Sequence, residues 1–310
     1  MIDWLAYRIK IAFKHPFAQI RKIATIYFSI LGVLFALIPI VHKLIPIVSE
    51  DWFRYWDFWV ALFFVAFIKS IKWILSYSYS IDGKDIEVFL KVGKIEKEKE
   101  ALILSTNSTF VTTMQDSIIS EKSAQGAFQN KYFCNNLSLL DNQISQSLEN
   151  ENVIGSLTLN NKNYNKYSIG TVAKVVFDNS KNAYFFALND INSKGQNTQH
   201  DTSVVYDAIN GLWKGIAEKG HIEPELSIPL IGSGRAGFSA MTKMESFKII
   251  LESFLVQVVN SGVKITEHLN IVVHPDDLKK FDMNEAVDFL KYKCKFISSS
   301  IKSQNVGKGI

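Results

Sequence analysis

Cysteine is nearly absent from this sequence: Cys134 and Cys294 are the only two in 310 residues. Two thiols so far apart give no disulfide framework and fit a reduced compartment, where both are expected to be inert. The six His and two Cys show no HExxH, CxxC or similar spacing, so no metal site is expected. A basic globular part is also missing. Residues 1–80 hold nine Lys/Arg against four Asp/Glu, and residues 81–310 hold 25 against 26. A nucleic-acid reader carries a basic patch on its folded domain, so nucleic acid is not an expected partner. No Ser/His/Asp set or paired-carboxylate spacing marks a catalytic centre, and no catalytic residue is assigned.

What is present begins with an apolar N-terminal part. Ile23 to Val41 is an uncharged run of 19 residues between Lys22 and His42. As a helix it would be roughly 28 Å long, about the hydrocarbon thickness of a bilayer. It is too long for the apolar core of a cleaved signal, and no small-x-small site follows it. Phe58 to Ile68 adds 11 uncharged residues between Asp57 and Lys69, with Trp52, Tyr55, Trp56 and Trp59 on one side and Trp73, Tyr77 and Tyr79 on the other. Amphipathic rings at both ends suit a membrane interface, and Lys69 and Lys72 can snorkel outward.

These features predict two transmembrane α-helices, at about 23–41 and 52–74, with a buried or interfacial hairpin as the alternative for the second. Arg8, Lys10, Lys14, Arg21 and Lys22 precede the first span, and Lys69 and Lys72 close the second. The positive-inside rule then places both termini in the cytoplasm of a multi-pass membrane protein, with a short loop outside. Residues 2–20 are expected to form an interfacial helix on anionic lipid. Residues 1–80 thus read as a membrane domain with the lipid bilayer as partner, and residues 81–310 as a cytoplasmic domain.

From Ile81 the texture is that of an α/β domain. Lys84 to Val92, Ala101 to Leu104, Thr171 to Phe177, Ala183 to Leu188, Leu226 to Leu230 and Asn270 to Val273 read as strands. Helices are expected within 117–133, near 198–219 with a face of Val204, Val205, Ala208, Leu212, Trp213 and Ile216, and over 240–260. Residues 135–166 are open to a loose helix and to a hairpin. Strands alternating with helices indicate a mixed, largely parallel sheet covered on both faces.

One stretch concentrates the chemistry. Leu226 to Ser239 reads LSIPLIGSGRAGFS, a strand running into glycines 232, 234 and 237 and then a helix. Glycine backbone can close tightly on another group, and N–H groups at such a turn converge on an anion. Gly232 and Gly237 have the Walker A spacing, but Phe238 stands where the lysine belongs, which excludes a P-loop NTPase. The Rossmann fingerprint matches literally, yet Glu252 falls inside a helix and only about 70 residues follow the loop.

Residues 84–282 resemble a macrodomain. The resemblance rests on Val92–Gly93–Lys94–Ile95, LILSTNSTF, Gln125–Gly126–Ala127–Phe128, Ile169 to Lys174 and LSIPLIGSGRAGF, in that order. It implies a three-layer α/β/α fold and an ADP-ribose site made by three segments. Thr106, Asn107 and Phe110 would meet the distal ribose, although an Asx-turn is an equal use for Asn107. Gln125, Gly126, Ala127 and Phe128 would offer one set of backbone N–H groups to a diphosphate. Ile231, Gly232, Ser233, Gly234, Arg235, Ala236 and Gly237 would offer the other, with Phe238 closing over a ribose. Lys94 stands where the family has an acidic residue for adenine, leaving His274 or Asp190 as substitutes. The Asn-Ala-Ala-Asn and triple-glycine motifs of macrodomain hydrolases are missing, so binding rather than hydrolysis is expected.

With the two apolar spans upstream, nearly the whole chain resembles the transmembrane–macro (type II) effectors of Thoeris anti-phage systems. That resemblance implies a multi-pass protein of the bacterial inner membrane, a TIR-domain partner that makes histidine–ADP-ribose, a macro domain that senses it, and a homo-oligomer that disrupts that membrane and kills the cell. The alternatives are a membrane-anchored ADP-ribosyl-hydrolase and a passive anchor for ADP-ribosylated partners.

Overall fold

The computed structural model describes residues 20–21, 23–33, 56–73, 76–115, 118–178, 180–198, 201–219, 222–232, 238, 241–260 and 263–306. The chain divides into two units, Met1–Ser76 and Tyr77–Ile310. In the first unit the described residues are helical over 20–33, apart from residue 22, and over Trp56–Trp73, and Ser76 is the first residue of a strand.

The first unit corrects the membrane expectation. Among the described residues no helix is long and apolar enough to cross a membrane. Helix Trp56–Trp73 has 18 residues, but Asp57, Lys69 and Lys72 confine its uncharged part to Phe58–Ile68. Eleven residues span about 17 Å as a helix, little more than half the hydrocarbon thickness. Of the other expected span only residues 23–33 are described, and 34–41 lie outside the described residues, as do the expected interfacial segment up to residue 19 and the connection 42–55. Multi-pass placement in the inner membrane therefore does not stand, and no helix among the described residues supports the bilayer as a partner.

The second unit is built on a seven-stranded sheet. Its strands are β1 (Ser76–Ser80), β2 (Glu87–Val92), β3 (Ala101–Asn107), β6 (Val172–Phe177), β7 (Lys181–Asn189), β8 (Glu223–Pro229) and β9 (Thr266–Val273), in the order β1-β2-β9-β8-β3-β7-β6. The β2–β9, β9–β8, β8–β3 and β3–β7 pairs are parallel, and β6–β7 is antiparallel. The sheet is thus mixed and largely parallel, as the alternation of elements predicted. Between β3 and β6 the chain forms α1 (Ala124–Tyr132), α2 (Leu137–Ser147) and a separate hairpin of β4 (Val153–Leu159) and β5 (Lys162–Tyr167). Residues 135–166 therefore contain both of the forms the sequence left open. Asn160 and Asn161 at the hairpin tip both have positive φ, 47° and 61°, the left-handed pair that a two-residue turn between twisted strands requires.

Alternation along the strands sends side chains to two cores. Leu102, Leu104, Ala173, Val175, Ala183 and Phe185 pack beneath α1 and α2 with Phe128, Leu140 and Ile144. The opposite face is covered by α3 (Ser203–Glu218), α4 (Lys243–Asn260) and α5 (Met283–Val306). There Gly215 of α3 lies against the Val172 side chain, and Gly211 approaches Gly170 so closely that an added Cβ would sit 2.7 Å from its Cα. The glycine at 170, with φ 85°, is thus a packing device between loop and helix. In α3, Val205, Ala208, Ile209, Leu212, Trp213 and Ile216 are buried, at the helical spacing read from the sequence with Ile209 in place of Val204. Trp213 Nε1 donates to Ser253 Oγ of α4 at 2.9 Å, which satisfies a fully buried indole. Helix α5 has no counterpart in the sequence reading.

Candidate ligand-binding cleft

Parallel strands end on one side of a sheet, and the crevice beyond their carboxyl ends is where such sheets bind ligands. Here β2, β3, β7, β8 and β9 deliver Lys94, Asn107, Asn189, Ile231 and His274 to one cleft of ≈ 750 Å³. The N-terminus of α1 forms its other wall, with Ser123, Ala124, Gln125 and Ala127. A smaller hollow of ≈ 440 Å³ beside Tyr79, Asp82 and Cys294 has no buried orphan polar atom among its described residues.

Strand β3 continues past its expected end at Leu104 to Asn107, so Thr106 and Asn107 sit at the mouth of the sheet. Asn107 Oδ1 accepts from Thr109 N at 3.1 Å, Thr109 Oγ1 at 2.7 Å and Val111 N at 3.4 Å. This is the Asx-turn use of the residue, and it holds Phe110 at φ 51°. The Asn107 amide Nδ2 has no acceptor among the described residues. Thr106 is nearly fully buried, lines the cleft, and its Oγ1 has no hydrogen-bond partner. A buried hydroxyl left unpaired costs about 1–3 kcal/mol, so its retention at a cleft wall points to an external partner.

The α1 wall is set by a cap. Ser123 Oγ accepts the Gly126 N–H at 3.0 Å, and Ala127 N donates to the Ser123 carbonyl at 2.9 Å. The N–H groups of Ala124 and Gln125 have no acceptor among the described residues, which leaves two donors at the positive end of the helix dipole. Gln125 is held by its Nε2, which donates to Val111 O at 3.2 Å. Gly126 has a different task from the one expected. An added Cβ would lie 2.1 Å from Ser120 O, so this glycine admits the 120–121 backbone against the helix.

The loop after β8 is pinned at its start. Ile231 N donates to Ser246 Oγ at 2.8 Å, and Gly232 takes φ 74° with Met241 Cε where a Cβ would project. Residues 233–237, which hold the expected Ser233, Gly234, Arg235, Ala236 and Gly237, lie outside the described residues. Helix α4 then starts with a capping box, in which Thr242 N donates to Glu245 Oε2 at 2.6 Å and Glu245 N to Thr242 Oγ1 at 3.1 Å. Hydrogen bonds from the Thr242 backbone and hydroxyl hold the Glu245 carboxyl below its ordinary value. A carboxylate thus already occupies the α4 dipole end.

The cleft gathers Thr106, Asn107, Gln125, Ala127, Ile231 and Gly232 from the expected set. It excludes the aromatics. Phe110 packs on Tyr167 with ring centroids 5.7 Å apart, Phe128 lies among Phe133, Phe177 and Phe185, and Phe238 is fully buried. Hydrophobic burial outweighs any cost of removing them from a ligand, because an apolar ring in the core forfeits no hydrogen bond. Asp190 is not in the lining and pairs with Lys166 at 2.7 Å. His274 is in the lining, but its Nδ1 accepts from Asp276 N at 3.3 Å.

Lys243 is a wall residue that the sequence reading missed. It pairs with Asp277 at 2.9 Å, and both line the cleft. The Thr242-x-x-Glu245 capping signature would have marked its place at the helix start. Among the described residues no group of three His, Cys, Asp or Glu could hold a metal.

The model of a protein family described as Thoeris protein ThsA, Macro domain, matches residues 88–274. Solved structures similar to this chain include a point mutant of the Oceanobacillus iheyensis macrodomain, at 14% identity over 70% of this chain and 98% of that one, TM-score 0.48. The same macrodomain with ADP is 13% identical over 70% and 98%, TM-score 0.47. The macro domain of ganglioside induced differentiation associated protein 2 is 9% identical over 62% and 79%, TM-score 0.39. No curated protein matches the sequence.

Proposed function

Because this chain belongs to the family of the Thoeris protein ThsA macro domain, we propose that its cleft binds an ADP-ribose-derived ligand and that the protein is the sensor of an anti-phage system. The observation that carries this reading is Thr106, a lining residue of a cleft at the carboxyl ends of five strands, whose buried hydroxyl has no partner in the protein. A sugar hydroxyl or phosphate oxygen would satisfy it. The open Ala124 and Gln125 N–H groups would receive a phosphate at the α1 dipole, and the loop 231–238 would close on it from the β8 side. The sensor would occupy residues 81–310.

The finer reading follows the family. The signal is an ADP-ribose conjugate such as histidine–ADP-ribose, made by a TIR-domain protein, and bound subunits act as a homo-oligomer. Binding shifts a conformational population only to the extent that the ligand prefers one state. The ligand is held and not turned over: the Asn107 side-chain oxygen serves its own turn, and no base is positioned beside the Thr106 hydroxyl among the described residues.

Isothermal calorimetry of the full chain with ADP-ribose, histidine–ADP-ribose and AMP tests the proposal. Saturable binding of one of the first two, tighter than AMP, is expected. Absence of heat with both rejects the sensor, and chromatographic detection of a product after incubation rejects the non-catalytic reading.

A further inference from the structure

Three lysines among the described residues line the cleft, and they are placed differently. Lys94 and Lys122 are exposed, where water and salt screen a cation and leave it little to offer a ligand. Lys243 is set into the wall. Its side chain is only 15% exposed, and its Nζ lies 2.9 Å from Asp277 Oδ2. Charges so placed meet less solvent and act more strongly on a third charge that enters the cleft.

The pair is not what holds its two elements together. Lys243 is the first residue of α4, and Phe247 follows one turn later on the same face. Phe247 packs on Phe281 with ring centroids 5.9 Å apart, and Leu278 is buried in the 3-10 turn Pro275–Lys280 that carries Asp277. Asp277 N donates to His274 O at 2.9 Å, which fixes the turn through its backbone. Apolar burial thus docks the turn on α4 without help from the charges.

We propose that Lys243 is the cation that grips a phosphate of the bound ligand, and that the phosphate takes it from Asp277. The proposal rests on the assignment of the cleft to an ADP-ribose-derived ligand, and it names the side chain that meets the ligand's charge. The other open donors of the cleft, the Thr106 hydroxyl and the Ala124 and Gln125 N–H groups, carry no net charge. A lysine ammonium has donors beyond the one that Asp277 uses, and a diphosphate carries more negative charge than one carboxylate. The phosphate therefore wins the ammonium, and the carboxylate left beside it repels the newcomer. Asp277 has two effects: it keeps the Lys243 side chain in the wall before binding, and it opposes binding.

Isothermal calorimetry of the full chain with ADP-ribose and with inorganic pyrophosphate tests the exchange. Lys243→Met is expected to weaken ADP-ribose roughly tenfold or more and to abolish the heat of pyrophosphate. Lys243→Arg keeps a cation and should retain most of the affinity. Asp277→Asn removes the competing charge at nearly constant volume and is expected to tighten ADP-ribose severalfold. Opposite signs for the two members of one pair mark an exchange, because a pair that only shaped the wall would weaken binding when broken from either side. Asp277→Asn carries the test alone if circular dichroism shows Lys243→Met unfolded. An Asp277→Asn chain that fails to tighten ADP-ribose, or a folded Lys243→Met chain that keeps its affinity, overturns the proposal and leaves the ligand assignment standing. A wild-type chain that binds neither ADP-ribose nor pyrophosphate overturns both.

Discussion

Ser246 Oγ accepts the N–H of Ile231 at 2.8 Å, tying the last residue before the glycine loop to the second turn of the helix that follows it. Ile231 and Ser246 are both buried, so the bond is shielded from water. It sets the height at which the chain leaves β8 and enters the cleft wall. Ser246→Ala leaves that amide without a partner and is expected to cost about 1–3 kcal/mol in urea unfolding. Affinity for ADP-ribose should fall as well, because the loop loses its anchor.

Thr106 separates binding from stability. Thr106→Val removes a hydroxyl that has no partner in the protein, so the unfolding midpoint should stay level or rise. Ligand affinity should drop by about 0.5–1.5 kcal/mol if a ligand supplies the missing partner. Thr106→Ser should recover most of it. Calorimetry and thermal melting on the same three proteins check both halves.

Gly126→Ala should behave in the other way. The new Cβ would meet the Ser120 carbonyl oxygen and Glu121 Cα, both backbone atoms that no rotamer change can move aside. Overpacking of this kind costs roughly 1–3 kcal/mol or more, so a lowered melting temperature is expected with or without ligand.

Acid sensitivity should involve Glu225. Burial pushes its carboxyl up, but hydrogen bonds from Lys91 and Asn270 and the Lys91 charge outweigh this and hold it below its ordinary value. A group depressed on folding contributes stability above its unfolded pKa and loses it as pH falls through the folded one. The wild-type protein should therefore weaken on the acid side of the ordinary carboxylate range. Glu225→Gln should show a shallower acid limb in denaturant titrations at stepped pH.

The two thiols should differ. Cys134 is exposed, and Cys294 is buried, with burial pushing its thiol up to about 12. An aromatic disulfide reagent should modify Cys134 in the folded protein and reach Cys294 only after unfolding. This departs from the expectation that both are inert.

Local pattern made much of the domain readable. Short apolar runs marked β6 and β7, the spacing of Ala208, Leu212, Trp213 and Ile216 marked α3, and the order of Gly93, Asn107, Gly126 and Gly232 along the chain marked a macrodomain. Each of these depends on residues near one another in sequence. Helix α5 was missed because its buried positions, among them Met283, Ala286, Leu290 and Cys294, are interleaved with exposed lysines and aromatics.

What the sequence determined by itself, then, is the type and order of most elements from β2 to β9 and the family to which they belong, because period and turn chemistry are local properties. Only the tertiary structure decided what each marked residue faces. Phe110, Phe128 and Phe238 turn into the core, Gly126 admits the Ser120 backbone, and Asn107 spends its side-chain oxygen on its own loop. Among the described residues of the expected site, Thr106 alone keeps a buried hydroxyl without a partner. The reason is physical: a period tells which way a side chain points from its own strand or helix, and the neighbour it meets there is supplied by a distant part of the chain.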